Sequence, residues 1–402
     1  MGLIVQKFGG TSVANTERLK NVAKIVTDTY KAGNGVIVVV SAQGDTTDDL
    51  IEKAREVNTN PSKREMDMLL STGEQISASL LAMTIESMGF PVISLTGWQA
   101  GIATDSNYSA SRIKKIDTER LSAELDKKRI VIVTGFQGLN KYDDITTLGR
   151  GGSDTSAVAL AAACHADLCE IYTDVDGVYT TDPRIVPDAK KLSEISFDEM
   201  LELASLGANV LHNRSVEMAK KYNVNMCVRS SITRAEGTFV KEVVNMESMV
   251  VRGVTKDNDV ARISLCHIED TPGKAFRIFS LLAKYNINVD LIIQSIGREN
   301  TKDISFTVSE GNLKEALDLI ENNKDLIGYG ELSYNTEVSK VSIVGAGMVT
   351  NAGVAAKMFE ALYDAHINIH MIATSEIKVS VLIDQGMENK AIKAIHDKFE
   401  LA

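Results

Sequence analysis

Cysteine is scarce, long apolar runs are missing and basic clusters are absent, and each shortage removes a class of protein. Only four cysteines occur in 402 residues, Cys164, Cys169, Cys227 and Cys266. They lack zinc spacing and sit in apolar segments, the pattern of buried free thiols in a reducing compartment. No segment reaches about eighteen apolar residues, which leaves out a transmembrane helix. No basic stretch followed by a long apolar run opens the chain, so no signal peptide is expected and the protein reads as cytoplasmic. A net charge of −11 with no basic arm argues against nucleic acid as the main partner. Two nucleotide signatures are missing as well: neither G-x-x-x-x-G-K-[ST] nor a G-x-G-x-x-G turn after a strand occurs. Histidine is sparse too, with four of the six (His267, His366, His370, His396) late in the chain.

What remains is an ordinary globular composition, 44% hydrophobic and 24% charged, in a length that suits about two to four domains. Residues 1–235 alternate short apolar strands (Leu3–Lys7, Val36–Ser41, Val92–Leu95, Ile130–Thr134, Leu168–Thr173) with helical patterns such as Glu17–Ala32, Glu65–Met88 and Thr155–Cys164. Such alternation predicts an α/β layer fold with a mostly parallel sheet, and a ligand at the carboxyl edge of its strands.

The C-terminal part contains a repeat. Placing each position over the one 80 residues later aligns INVDLIIQS (287–295) with INIHMIATS (367–375), Gly273 with Gly353, Phe279 with Phe359 and Ile263 with Ile343. The first copy reads strand (Ala261–Ile268), helix (Gly273–Tyr285), strand (Ile287–Ile296), strand (Asp303–Val308), helix (Asn312–Asn322), strand (Gly330–Tyr334), a ferredoxin-like βαββαβ unit. The second copy (Lys340–Ala346, Gly353–Ala365, Ile367–Ser375, Lys378–Ile383, Asn389–Phe399) lacks its last strand. A sheet short of one strand has an open edge, and the strand-like Ser248–Val254 can cover it. The second module is therefore expected to be discontinuous. The division is a catalytic domain over 1–245, one module over 258–335, and the other over 246–257 plus 336–402.

Three elements carry chemistry. QKFGGTSV (6–13) runs from an apolar strand into a lysine, two glycines and two hydroxyls, a composition that brings backbone N–H groups to phosphate. GRGGSDTSAVALAAAC (149–164) reads as glycines entering a helix capped by Ser153 or Asp154, with Arg150 as a fork for a carboxylate. TDVDGVYTTDPR (173–184) is either a turn cluster or a nucleotide and Mg²⁺ loop.

Together these elements resemble the amino acid kinase superfamily, and within it aspartate kinase. KFGGTSV (7–13), STGEQIS (71–77), LTGWQAG (95–101), GRGGSDTSA (149–157), TDVDGVYTTDP (173–183) and VRSS (228–231) match that family's motifs in order. The repeats resemble its ACT domains, the amino-acid-sensing modules. No dehydrogenase follows them, as in the monofunctional enzymes. The resemblance implies the amino acid kinase fold, three-layered with a mostly parallel sheet, followed by two ferredoxin-like ACT modules. It implies transfer of the γ-phosphoryl of ATP to the β-carboxylate of aspartate, with Mg²⁺ and with no metal ligated directly by the protein.

By motif, Lys7 would be a point charge on the transferring phosphate, with Gly9 and Gly10 letting backbone approach and Ser12 nearby. Glu74 would pair with the substrate ammonium and Arg150 would clamp its α-carboxylate. Ser41 and Thr47 would lie near the β-carboxylate, and Asp154 would orient the amine or the lysine. Thr173, Asp174, Tyr179 and Arg184 would hold the nucleotide, with Asp182 and Arg229 as further contributors. Trp98 stands where relatives carry a smaller residue. Read without the motif, Glu74 is an exposed helix charge and Tyr179 is core packing.

The ACT resemblance also implies feedback by lysine, threonine or both, and a homo-oligomer assembled through these modules, as dimer, tetramer or with a small subunit started internally at Met246 or Met249. The effector positions are Asp270–Gly273, Asn288, Asp290, Gln294 and Ser295, with Asn351, Asn368 and Ile369 from the partner module. The helix Phe197–Leu206 would carry the coupling. Two alternatives remain: another amino acid kinase, acting on glutamate, acetylglutamate or UMP, and a catalytically silent amino-acid sensor.

Overall fold

The computed structural model describes residues 2–207, 210–242, 249–296 and 300–402. The chain forms two compact units. The first comprises Met1–Val178, Lys191–Ser205 and Asn209–Asn245; the second comprises Tyr179–Lys190, Leu206–Ala208 and Met246–Ala402. The units change over between Asn245 and Met246, while the excursion Tyr179–Lys190 and the short Leu206–Ala208 group with the second unit. No helix among the described residues is long and apolar enough to cross a membrane.

The first unit is built on an eight-stranded sheet. In spatial order its strands are Glu194–Ser196, Thr238–Lys241, Met226–Ser230, Leu168–Thr173, Leu3–Phe8, Gly35–Val40, Ile130–Thr134 and Val92–Leu95. Its centre is parallel, with Leu3–Phe8 between Gly35–Val40 and Leu168–Thr173. GVIVVV (35–40) is buried from its second residue on, as expected of a strand covered on both faces. The helix Thr16–Lys31 starts at Asn15, whose side-chain oxygen accepts from Arg18 N at 3.0 Å. Its Leu19, Val22, Ala23 and Val26 pack with Ala78, Leu81 and Ile85 of the helix Thr72–Ser87 against Phe8, Val38, Val40 and Tyr172. On the opposite face lies the helix Gly152–Ala163, buried from Gly152 through Ala161.

Two local readings change. The helical pattern Glu65–Met88 is two helices, Lys63–Leu70 and Thr72–Ser87, meeting at Ser71. Ser71 Oγ donates to Met68 O (2.8 Å) and Thr72 Oγ1 to Leu69 O (2.7 Å), while Gln137 Nε2 takes Ser71 O (2.9 Å). Side chains competing for helical carbonyls end the first helix. A small second sheet (Ile113–Ile116, Ile102–Thr104, Gln137–Leu139, Ile145–Thr147) is made of strands too short to show an alternation in sequence.

In the second unit the two repeats fold alike. The first forms a sheet in the order Ile292–Ile296, Thr301–Val308, Ala261–Glu269, Glu331–Asn335; the second in the order Met371–Thr374, Lys378–Asp384, Val338–Val344, Gly253–Asp257. Gly253–Asp257 pairs antiparallel with Val338–Val344, where the first module has its own last strand. This strand lies downstream of the stretch expected; Met249 is described without strand structure, and Ser248 and Met246 fall outside the described residues. Val260, Leu291, Val338, Met371 and Leu382 form one apolar cluster drawn from both modules.

The cysteines are all unpaired, but only Cys169 and Cys227 are buried; Cys164 and Cys266 are half-buried.

Candidate active site

The site grows from the carboxyl ends of the central strands of the first unit. Leu3–Phe8 runs into Gly9, whose N–H donates to Tyr172 O (3.2 Å), and a short 3₁₀ turn, Gly10–Val13, leads to Thr16–Lys31. Lys7 points to the face covered by Gly152–Ala163 and meets Asp154 in the first turn of that helix, Nζ to Oδ1 2.6 Å. Both side chains are about nine-tenths buried, at 11% and 12% exposure. In this partly dry setting the pair is strengthened, and the helix N-terminus adds positive potential beside it.

The turn before that helix departs from the sequence reading. Neither Ser153 nor Asp154 caps it: both lie inside the first turn, and the cap is Gly151 at φ +67°. A Cβ on Gly151 would sit 2.2 Å from His212 Cγ, so this position needs glycine for conformation and for space. Arg150, one residue earlier, is exposed.

Gly10 is also explained by packing, since a Cβ there would lie 2.7 Å from Ala42 O. It lets the loop after Leu3–Phe8 close on the loop after Gly35–Val40, where Ser41 N donates to Phe8 O (3.1 Å) and Gly44 N to Gly10 O (3.1 Å). A Cβ on Gly9 would lie 3.5 Å from Lys7 Nζ. Ser12 is buried and its hydroxyl shares a 2.8 Å hydrogen bond with Ser231, linking KFGGTSV to VRSS. Thr173 Oγ1 donates to Asp174 Oδ1 (2.8 Å) at the end of Leu168–Thr173. Thr47 stands in the first turn of Thr46–Val57. Trp98 is half-buried.

Glu74 is strongly perturbed. It occupies the first turn of Thr72–Ser87, is 3% exposed, and its Oε1 accepts from Ala42 N (3.1 Å) while Oε2 has no partner among the described residues. Loss of hydration on burial pushes its pKa up to about 8, against weaker lowering by the hydrogen bonds from backbone N–H groups. The exposed helix charge suggested by local pattern is therefore a buried, half-satisfied carboxyl.

Arg229 is not brought to Lys7. Its neighbour in register is Tyr172, on the face opposite Lys7, and its Nε lies 3.1 Å from Glu170 Oε1. Glu170 is buried and also accepts from Gln6 Nε2 (2.8 Å) and the Tyr172 hydroxyl (3.1 Å). Tyr179, Asp182 and Arg184 belong to the second unit. Tyr179 packs on that unit's core beside Val186, and Asp182 pairs with Arg184 at 2.8 Å.

A model of the amino acid kinase family matches residues 2–230, and an ACT-domain model matches 267–323 and 341–399. The chain is 52% identical to the aspartokinase of Bacillus sp. (strain MGA3), aligned over 100% of this chain and 98% of that protein. It is 51% identical to the aspartokinase of Geobacillus stearothermophilus, with the same coverage. The chain belongs to the aspartokinase family. Escherichia coli aspartokinase III, 25% identical, superposes with a TM-score of 0.80 in its complex with aspartate and ADP, covering 99% of this chain and 100% of that one. In its complex with lysine and aspartate the TM-score is 0.76, covering 99% of each.

The aspartokinase-type repeats place the effector candidates on loops more than on strands. The strands begin at Ile292 and Met371, later than expected, so Asn288, Asp290, Asn368 and Ile369 precede them. Gln294 and Ser295 are exposed on the first of these strands. Gly273 opens its helix at φ +94°. Asp270 pairs with Lys302 (2.6 Å), Asn351 donates to Gly347 O (2.9 Å), and Ile369 packs on the second module's core. Asp290 is held by the buried Lys340, which also reaches Asp257 at 3.1 Å.

Sequence reasoning passed over Asp67, a buried carboxylate with four hydrogen-bond donors. Its signal was an acidic residue inside the apolar run EMDMLL (65–70).

Proposed function

We propose that this chain transfers the γ-phosphoryl group of ATP to the β-carboxylate of L-aspartate. The observation that carries the reading is the buried Lys7–Asp154 pair at a helix N-terminus, in the same unit as a buried carboxyl, Glu74, with an unpartnered oxygen. A substrate carboxylate is ionised at neutral pH, so its oxygen attacks the γ-phosphorus as the bond to the bridging oxygen breaks and ADP leaves. No proton has to move. The protein's task is to bring two anions together and to stabilise charge spread over the phosphoryl in flight. Lys7, oriented by Asp154, supplies that charge, assisted by the helix N-terminus behind it. Glu74, neutral in the empty site at pH 7, ionises when an ammonium group arrives to pair with it, and Arg150 takes the α-carboxylate. Ser41 and Thr47 flank the β-carboxylate, and Thr173 and Asp174 serve the nucleotide.

Among the described residues no three His, Cys, Asp or Glu side chains converge as a metal cage. The acidic turn TDVDG (173–177) fits Mg²⁺ carried on the nucleotide's phosphates without direct ligation by the protein. When bound, that ion would neutralise phosphate charge.

The two repeats serve as the regulatory part. Lysine, threonine or both bind there and lower activity, and homo-oligomers form through these modules. The lysine-bound relative supports lysine as one effector. The strand pairing of Gly253–Asp257 with Val338–Val344 supports a division into a kinase domain and two ACT modules.

The test is an acyl-phosphate trap. Protein, Mg·ATP and hydroxylamine are incubated with aspartate, glutamate or acetylglutamate, with and without lysine and threonine. Hydroxamate from aspartate alone, suppressed by an effector, is expected. No hydroxamate from any substrate, in protein that still binds lysine or threonine, would replace the kinase with a sensor.

A further inference from the structure

Arg150 lies in the turn that joins the strand Ile145–Thr147 to the helix Gly152–Ala163, and two side chains outside every motif hold that turn. Asp67 is fully buried on the helix Lys63–Leu70. It accepts from Thr147 Oγ1 (2.7 Å), Thr147 N (2.9 Å), Ser109 N (2.9 Å) and Ser109 Oγ (3.3 Å). Arg214, in the first turn of Asn213–Tyr222, donates Nη1 to Leu148 O (2.9 Å) and Nη2 to Ser111 O (2.9 Å). Ser111 closes the frame, its N and Oγ both donating to Thr147 O at 2.9 Å. The backbone on either side of Arg150 is thus tied at Thr147 and Leu148 before it, and by the packing of Gly151 on His212 after it.

A buried carboxylate is retained only where donors replace its water, and here two of the four donors belong to Thr147, at the end of the strand entering the turn. The turn itself is glycine-rich, with Gly149 at φ +79° and Gly151 at φ +67°. Such a run has many accessible conformations and would scatter Arg150 unless it were held from outside. We propose that Asp67 and Arg214 are positioning residues for aspartate binding: they hold Leu148–Gly151 in the one conformation that presents the Arg150 guanidinium to the substrate's α-carboxylate. Neither touches the substrate. Lysine at 214 cannot replace arginine, because one ammonium does not reach two carbonyls in fixed directions. Asparagine at 67 has one acceptor oxygen for the two backbone N–H groups and puts an NH2 against Thr147 Oγ1, so the charge-assisted bonds that hold the turn are lost. The proposal rests on the reading of Arg150 as the carboxylate clamp.

The experiment uses the full chain with Asp67→Asn, Arg214→Gln and Arg150→Ala, alone and combined. Asp67→Asn and Arg214→Gln should each raise KM for aspartate roughly tenfold while KM for ATP stays within about twofold. In the Arg150→Ala background the same changes should add less than about threefold, because the group they position is gone. Amide hydrogen exchange over 147–153 should accelerate in both. A parallel rise in both KM values, undiminished effects in the Arg150→Ala background, or unchanged exchange over 147–153 would overturn the proposal. If Asp67→Asn does not fold, Arg214→Gln carries the same measurements. An Arg150→Ala protein with unaltered aspartate KM would overturn the clamp reading itself, and the exchange rates would still distinguish a held turn from an unheld one.

Discussion

At the scale of single residues, Glu74 and Lys7 make separable claims. The Glu74 carboxyl has a folded-state pKa of about 8 against an ordinary value of 4.5. The native state therefore binds a proton that the unfolded chain has already lost, and stability falls as pH rises from about 4.5 towards 8. Glu74→Gln removes that ionisation and should leave the melting temperature nearly unchanged at pH 4.5 but raise it above the parent's at pH 8. The same variant should raise KM for aspartate at least tenfold, by loss of about 1.4 kcal/mol or more of charge-assisted pairing. Thermal unfolding across pH, read beside aspartate kinetics, checks both halves; parallel melting curves for the two proteins would refute the burial argument. Lys7→Ala should depress kcat by a factor of about a hundred or more, with a much smaller rise in KM for ATP, because its charge acts chiefly on the phosphoryl in flight. Both residues stand in recognisable motifs, yet only folding shows that Glu74 is buried and that Lys7 already has a carboxylate partner.

At the scale of elements, the N-terminus of Gly152–Ala163 sets where Asp154 and the preceding Arg150 stand. Its residue identities were legible, but the mode of capping was not. A serine or aspartate ahead of an apolar helix is an ordinary cap by pattern, whereas here a left-handed glycine pressed against His212 does the work. Gly151→Ala should cost about 1 kcal/mol or more from the left-handed backbone alone, with the His212 contact adding to it. Its signature should be a higher KM for aspartate, measured by steady-state kinetics, and His212→Ala in the same chain should restore only the steric part. Arg229 gives the complementary lesson. It sits on a strand next to nucleotide-motif residues, but strand side chains alternate between faces, and the register with Tyr172 turns it away from Lys7 towards Glu170.

At the scale of the molecule, the excursion Tyr179–Lys190 carries three motif residues and belongs to the second unit. Thr180 anchors it there. Its hydroxyl donates to Leu401 O (3.1 Å), shares a 3.0 Å hydrogen bond with His396 Nε2 and accepts from Lys190 N (3.0 Å), while Thr180 O accepts from Val254 N (2.8 Å). Thr180→Val keeps the shape and the backbone bond from Val254 N but leaves the hydroxyl's partners Leu401 O, His396 Nε2 and Lys190 N unsatisfied. It should destabilise the second unit by about 1–3 kcal/mol in denaturant unfolding. A second expectation concerns the edge of the second module. A fragment of residues 249–402 keeps the strand Gly253–Asp257 and should stay monodisperse, whereas 258–402 bares Val338–Val344 and should aggregate, which size-exclusion chromatography would reveal. Removing everything from residue 246 onward should abolish any response to lysine or threonine.

The alternation of strands and helices, the repeat spaced by 80 residues and the motif order could be read directly, because they depend on short-range periodicity and on residue types that few other folds require. They were enough for the fold class, and they singled out both members of the buried Lys7–Asp154 pair. The three-dimensional packing alone decided which carboxyl is dry, which arginine faces away, which buried aspartate holds the Arg150 turn and which distant strand completes the last sheet. Each of these depends on neighbours far along the chain, such as Asp67 with Thr147 or Gly253–Asp257 with Val338–Val344. Burial, register and hydrogen-bond satisfaction are properties of such pairs, and a local pattern carries no information about a partner it does not contain.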